Sequence, residues 1–323
     1  MRIDGVDIEA VFGCVPANAV DNLASLTELV GAEKAKSIVK ATGFATRRVA
    51  IEGSDVFDLA LPAAKRAIEG TDPSQVAGVI AVSFSNRDRF PALSARLQYA
   101  LGLSAATAAY DISMACSGWI YGLFAAAQLV KATGKKVLLV DGDVQSAWTD
   151  RTDPNTLAVM GDGASATLLA PGGGVWDFAF YTDGSGADAL RCRETISMDG
   201  FGVFRFVAGP VRKFLSSFLQ SSQLLAGTDP VFVPHQANMY MVRQLSDALG
   251  LKDRCFGSGE KYANTGSSSA ALTMADGLGC IPADGARMAV LFAGFGAGLS
   301  AAAAATTVGA YRYGVVAGPL EAK

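Results

Sequence analysis

Histidine is almost absent from this chain. The single one, His235, sits in Val231-Phe-Val-Pro-His-Gln-Ala-Asn238. Mechanisms that need two imidazoles are excluded, and so are metal sites built from several. Charge is scarce as well. Charged residues make up 18% of 323, the net charge is −3, and no Lys/Arg block occurs. Nothing here reads as a nucleic-acid surface. The five cysteines, Cys14, Cys116, Cys192, Cys255 and Cys280, are odd in number, far apart and free of any CxxC pair. That pattern argues against a disulfide framework and a zinc site. It points to reduced thiols in the cytoplasm. The stretch Met1–Glu9 is interrupted by acids and lacks the apolar core of a signal peptide.

Only one segment tests the expectation of no membrane span. Met288–Tyr311 carries no charge and is long enough to cross a bilayer. Gly294, Gly296 and Gly298 break it after a short apolar run. It reads as two buried strands around a tight glycine turn.

What the chain has is apolar material: half of it is hydrophobic, with abundant glycine and alanine. That suffices for a large core, and the length suggests two domains of ordinary size. Val79–Phe84 and Val137–Val140 read as buried strands. Ser117–Ala132 reads as a helix, with Ile120, Leu123, Phe124 and Ala127 on one face and Gly134 as its stop. This alternation indicates an α/β protein. A similar order recurs in strand Val231–Val233, helix Asn238–Leu249, helix Ser267–Gly277 and strand Met288–Phe292. Gly161–Leu169 and Gly296–Ala303 each look like a glycine turn leading into a closing strand. Two related halves follow, 1–171 and 172–323, joined near Pro171-Gly-Gly-Gly174.

Three polar residues stand out. Cys116, in Asp111-Ile-Ser-Met-Ala-Cys-Ser-Gly-Trp119, falls between a strand and a helix. The free N–H groups of a helix start favour a thiolate there. Gly118 and Gly122 would let that helix pack closely. A small buried cysteine is the plainer alternative. His235 ends a buried strand, where a hydrogen-bonded core histidine is the plainer alternative. Asn264, in Lys261-Tyr-Ala-Asn-Thr-Gly-Ser-Ser-Ser269, precedes a helix, where Asn commonly caps. Gly294-Phe-Gly-Ala-Gly298 is a poor nucleotide loop, since a strand follows it. Gly161-Asp-Gly163 and Asp141-Gly-Asp143 read as turns rather than metal sites.

Together, Ala115-Cys-Ser-Gly118, Pro234-His-Gln-Ala-Asn238 and Asn264-Thr-Gly266 with its serine run resemble the β-ketoacyl-acyl-carrier-protein synthase III family of the thiolase superfamily. Gly161-Asp-Gly-Ala164, Phe295-Gly-Ala-Gly298 and Thr42-Gly-Phe-Ala-Thr-Arg-Arg48 agree in order and spacing. The resemblance implies a five-layer αβαβα fold from two duplicated halves, a homodimer and a Cys-His-Asn site. Cys116 would carry the acyl group as a thioester. His235 and Asn264 would stabilise the enolate formed when a malonyl thioester loses carbon dioxide. The N–H groups of Cys116 and Ala297 would form the oxyanion hole, and Asn238, Phe295 and Gly296 would contact substrate. Phe90 would shape the acyl pocket across the dimer interface. The implied partners are an acyl thioester on CoA or acyl-carrier protein, malonyl-acyl-carrier protein or malonyl-CoA, and the carrier protein itself. No cofactor is implied.

Elongating relatives use two histidines, and thiolases place a second cysteine in the final glycine loop; neither pattern fits this chain. It also departs from its own family. Ser37 and Ala41 occupy the places of a tryptophan and an arginine that clamp CoA, and Pro154-Asn155 replaces a further arginine. CoA recognition is therefore expected to be weak or remodelled. Tyr240 replaces a basic carrier-docking residue, a role that Arg243, Lys252, Arg254, Arg212 and Lys213 are candidates to take over. The expected activity is a decarboxylating Claisen condensation. A specialised acyltransferase of secondary metabolism and a non-catalytic partner subunit are the alternatives.

Overall fold

The structure, a computed structural model, describes residues 1–279 and 286–319. Cys280 lies outside the described residues.

Its central feature is a strand order that occurs twice. In the first half, Ala108–Ile112, Val76–Val82 and Lys136–Asp143 pair in parallel. The start of Gly163–Thr182 and then Arg2–Val15 continue antiparallel. In the second half, Val231–Pro234 and Met288–Gly296 pair in parallel. Ser300–Val308 and then the end of Gly163–Thr182 continue antiparallel. Even the edge strand has a remnant: Cys255 bridges Phe232 in parallel, as Ala108–Ile112 pairs with Val76–Val82. Met288–Gly296 and Ser300–Val308 are the expected pair of buried strands. Among the described residues no helix is long and apolar enough to cross a membrane.

Strand alternation builds the layers. Ile80, Val82, Val137 and Leu139 face inward. With Val231, Val233, Val290 and Phe292 from the other half, they enclose the helix Gly118–Thr133 and the helix Ser269–Ala275. Their neighbours Val79, Ala81, Leu138 and Val140 face outward against helix Val56–Ala67. Phe232, Leu291 and Ala293 likewise meet Leu215 and Phe218 of helix Arg212–Ser221 and Leu245 of helix Met239–Ala248. The result is helix, sheet, helices, sheet, helix. Each fully buried branched or aromatic side chain contributes at most about 1.5–3 kcal/mol of transfer free energy.

At Pro171-Gly-Gly-Gly174, where the join between halves is expected, one strand, Gly163–Thr182, runs through. Its register against Arg2–Val15 shifts there, and a Cβ on Gly174 would meet the Val6 carbonyl and Asp7. Small residues let the long strand pass from one sheet to the other. One expectation changes: Asp141-Gly-Asp143 is not a turn but ends strand Lys136–Asp143, with both carboxyls buried.

Candidate active site

The inner helix Gly118–Thr133 starts two residues after Cys116, which follows strand Ala108–Ile112. In the second half, Asn264 lies between the Cys255 bridge and helix Ser269–Ala275, so Cys116 and Asn264 occupy corresponding places. His235 directly follows strand Val231–Pro234. The duplication thus brings three distant loops to the same end of the sheets.

Cys116, His235 and Asn264 line one cavity of about 450 Å3, together with Asn238, Phe295, Gly296 and Ala297. A larger cavity of about 680 Å3, lined by Arg47, Arg87, Arg151 and Glu52 among others, meets it at Met160 but reaches none of the three. The three candidate residues meet in the smaller one.

Close backbone approach assembles the site. A Cβ on Gly294 would lie 2.7 Å from the Ser117 Cα, and one on Gly296 would lie 2.9 Å from the Cys116 Sγ. These glycines seat the second half directly on the peptide of Cys116. Gly122 packs as expected, since a Cβ there would come within 2.5 Å of Leu139, and Gly118 is equally tight against Val82. Ser300 Oγ donates to the Ala297 carbonyl at 2.7 Å and lies 2.8 Å from Ser117 Oγ, which fixes the Ala297 peptide.

The expected thiolate is not the resting state. Burial pushes the Cys116 thiol up to about 11, and the Asp143 charge adds to this. The backbone N–H groups of Ala297 and Cys116 pull the other way without winning. Desolvation of the sulfur outweighs the helix start.

Burial also pulls His235 down to about 4, opposed by a backbone contact with Gly266. The imidazole is therefore neutral near pH 7. Its Nδ1 lies 2.8 Å from Ser269 Oγ, which accepts the Gln236 N–H at 3.1 Å. Phe295 stands edge-on to the ring at 5.5 Å. Asn264 Oδ1 accepts the Gly266 N–H at 2.9 Å, and Nδ2 donates to the Ala237 carbonyl at 3.3 Å. One Nδ2 hydrogen remains for a ligand. Gln145 Nε2 donates to the carbonyls of Asn264 and Gly161, both at 2.7 Å, and so holds the asparagine loop from below.

Asn238 lines the cavity but its Oδ1 caps helix Met239–Ala248 by accepting the Met241 N–H at 2.7 Å. Ala41 lines the cavity and Ser37 does not; Asn155 also lines it. Phe90 is not part of this wall and is 86% exposed. Arg243, Lys252 and Arg254 lie outside the cavity and face Glu260, Asp247 and Asp229 at 3.3, 3.6 and 3.4 Å. Tyr240 is exposed and packs on Phe204.

Sequence reasoning missed four contributors. Gln145 carries no motif. Ser269 was hidden in a serine run, although its place one turn into a helix start was a usable signal. The short hairpin Leu190–Cys192 and Ile196–Met198 supplies cavity wall, including a second thiol at Cys192. Asp143 Oδ1 accepts from Ser83 Oγ and from the N–H groups of Phe84 and Ser85 at 2.9–3.1 Å, anchoring the turn that presents Phe84 to the cavity.

Two repeated α/β halves, with a thiol, a neutral imidazole and a carboxamide around the cavity between them, define a condensing enzyme of the thiolase fold. Residues 110–184 match the family model of 3-oxoacyl-[acyl-carrier-protein] synthase III, and residues 219–308 match that of its C-terminal region. The chain is 33% identical over 268 residues to the β-ketoacyl-[acyl-carrier-protein] synthase III of Geobacillus kaustophilus, covering 80% of this chain and 85% of the relative. Among solved structures, a 3-oxoacyl-(acyl-carrier protein) synthase from Burkholderia xenovorans LB400 superposes with TM-score 0.91, 28% identity and 98% coverage of both chains. The priming β-ketosynthase of the R1128 polyketide pathway superposes with TM-score 0.85 and 28% identity, covering 95% of this chain and 97% of its own. The chain belongs to the 3-oxoacyl-[acyl-carrier-protein] synthase III family.

Proposed function

We propose that Cys116 is the acyl carrier of a two-step condensation. Its thiol attacks an acyl thioester held against the N–H groups of Cys116 and Ala297. The acyl–sulfur bond to the donor breaks, and the Cys116 proton leaves with the donor thiol. A malonyl thioester then places its carbonyl oxygen against His235 and the free Asn264 Nδ2 hydrogen. Carbon dioxide leaves and the enolate attacks the acyl carbonyl. The acyl–Cys116 bond breaks, the released Cys116 thiolate takes a proton from solvent, and a 3-oxoacyl thioester departs. The observation that carries this reading is the single cavity shared by Cys116, His235, Asn264 and Ala297. Asn238, Phe295 and Gly296 contact the substrate in this reading, with Asn238 offering the amide that its cap leaves free.

Residues 1–171 and 172–323 are the two halves, a division supported by the repeated strand order. We assign a homodimer formed along the edge strand Ala108–Ile112, near which Phe90, Tyr99 and Tyr110 are exposed. In it Phe90 would reach the neighbour's acyl pocket. The site of action is the cytoplasm, in keeping with unpaired thiols at Cys14, Cys116, Cys192 and Cys255. An acidic carrier protein docks at Arg243, Lys252 and Arg254 in this reading. CoA is a poor donor, because Ser37, Ala41 and Asn155 supply neither a stacking ring nor a charge for its phosphates. This favours a carrier-borne acyl group. It also favours, as a second reading, a specialised condensing enzyme or acyltransferase of secondary metabolism.

Intact-protein mass spectrometry after incubation with a panel of acyl-CoA and acyl-carrier thioesters tests the first step, and malonyl-dependent carbon dioxide release tests the second. No mass gain at Cys116 with any donor defeats the proposal. Acylation without carbon dioxide release favours the alternative acyltransferase.

A further inference from the structure

The His235 imidazole makes one side-chain hydrogen bond, between Nδ1 and Ser269 Oγ at 2.8 Å, and it also meets the backbone of Gly266. The serine hydroxyl has one hydrogen and two lone pairs. One lone pair takes the Gln236 N–H at 3.1 Å. Ser269 is buried in the first turn of helix Ser269–Ala275, so water does not compete for the hydroxyl. Its hydrogen is left for Nδ1. A neutral imidazole that accepts at Nδ1 carries its proton on Nε2.

We propose that Ser269 is a positioning residue for His235: its hydroxyl donates to Nδ1 and so fixes the proton on Nε2. The ring then presents a donor, not an acceptor, to a thioester oxygen in the cavity. This rests on the condensation reading above, in which His235 must donate to the enolate oxygen. It has a further consequence. A ring locked as an Nε2 donor does not take the Cys116 proton through that nitrogen, so loss of Ser269 should hurt condensation and spare acylation. The opposite tautomer, with the proton on Nδ1 and Ser269 Oγ accepting it, would reverse both statements.

The chain has a single histidine, so a 15N-histidine NMR spectrum of the whole protein contains one imidazole. Wild type should show a pyridine-type Nδ1 and a pyrrole-type Nε2, unchanged between pH 6 and pH 8. In Ser269→Ala the Nδ1–H form should rise. Decarboxylative condensation should fall about 10- to 100-fold, by analogy with the loss of a partner that orients a metal-bound imidazole. Acylation of Cys116 should stay within about twofold of wild type. Ser269→Thr, which keeps the hydroxyl, should restore the wild-type spectrum. A pyrrole-type Nδ1 in the wild type overturns the proposal even if no variant folds. So does an unchanged tautomer in folded Ser269→Ala. Neither spectrum depends on activity, so a protein that failed to condense any substrate would refute the function and leave this assignment standing.

Discussion

Asp141→Asn is expected to stabilise the fold above pH 7 and to flatten its pH dependence. Asp141 and Asp143 stand two residues apart at the end of strand Lys136–Asp143, so both project from the same side. Their partners are neutral: Ser165 for Asp141, and Ser83 with two backbone N–H groups for Asp143. Ser267 and Cys116 also face the pair, and no Lys, Arg or His forms an ion pair with it among the described residues. Desolvation raises Asp141 to about 8, with repulsion from Asp143 adding to it, and raises Asp143 to about 7. In the unfolded chain both titrate near ~3.9. Between these limits the native state holds protons that the unfolded chain has released. The stabilising contribution is therefore complete in acid and is lost as pH rises through 7 and 8.

From pH 6 to pH 8.5 the pair should cost roughly 4 kcal/mol, at about 1.4 kcal/mol per pKa unit, with more than half of it from Asp141. His235, lowered to about 4, acts mainly between pH 4 and 6.5 and in the opposite direction, so it hardly enters this window. The substituted amide keeps an acceptor for Ser165 and removes the charge that repels Asp143. Guanidinium unfolding at the two pH values measures the effect by linear extrapolation. Wild type should lose several kcal/mol, and Asp141→Asn less than half as much. Equal stability of wild type at pH 6 and 8.5, or the same loss in the variant, would refute the reasoning.

Cys116→Ala should abolish acyl-enzyme formation, read as the absence of a mass increment; His235→Ala and Asn264→Ala should spare acylation and cut condensation by about 10²-fold or more. Gly296→Ala places a methyl 2.8 Å from the Cys116 Cβ and must displace the nucleophile. A shift near 1 Å should slow acylation by about 10²-fold, with unfolding measurements to separate it from global loss. Charge reversal at Arg243 and Lys252 should weaken carrier-protein binding by calorimetry; unchanged affinity would discard that patch. Acetyl-CoA should bind weakly, and tight saturable binding would show that Ser37 and Ala41 do not mark a lost clamp.

The α/β alternation and most element positions were legible because they rest on local patterns. Ser117–Ala132 is observed as Gly118–Thr133, stopped at Gly134 with φ 65°. Asn238–Leu249 is observed as Met239–Ala248 with Asn238 as its cap. Strands were read too short, since Met288–Phe292 runs on to Gly296 through glycines that look like breakers. That Pro171–Gly174 lies inside a strand was not legible either, because glycine at a close strand crossing is indistinguishable, in sequence, from glycine in a turn. The helix start at Cys116 was correctly placed, yet its expected thiolate was not found. Desolvation depends on what the other half stacks above the sulfur.

By itself the sequence determined the residue inventory: one imidazole, no second cysteine in the glycine loop, and two passes of the same strand and helix pattern. Those limit the chemistry, because a side chain that is absent cannot act. Only the tertiary structure decided that Cys116, His235 and Asn264 share a cavity, that Ser269 and Gln145 hold two of them, and that the acids at positions 141 and 143 are buried. Proximity between distant loops and burial of charge are properties of packed layers. No local run of residues encodes them.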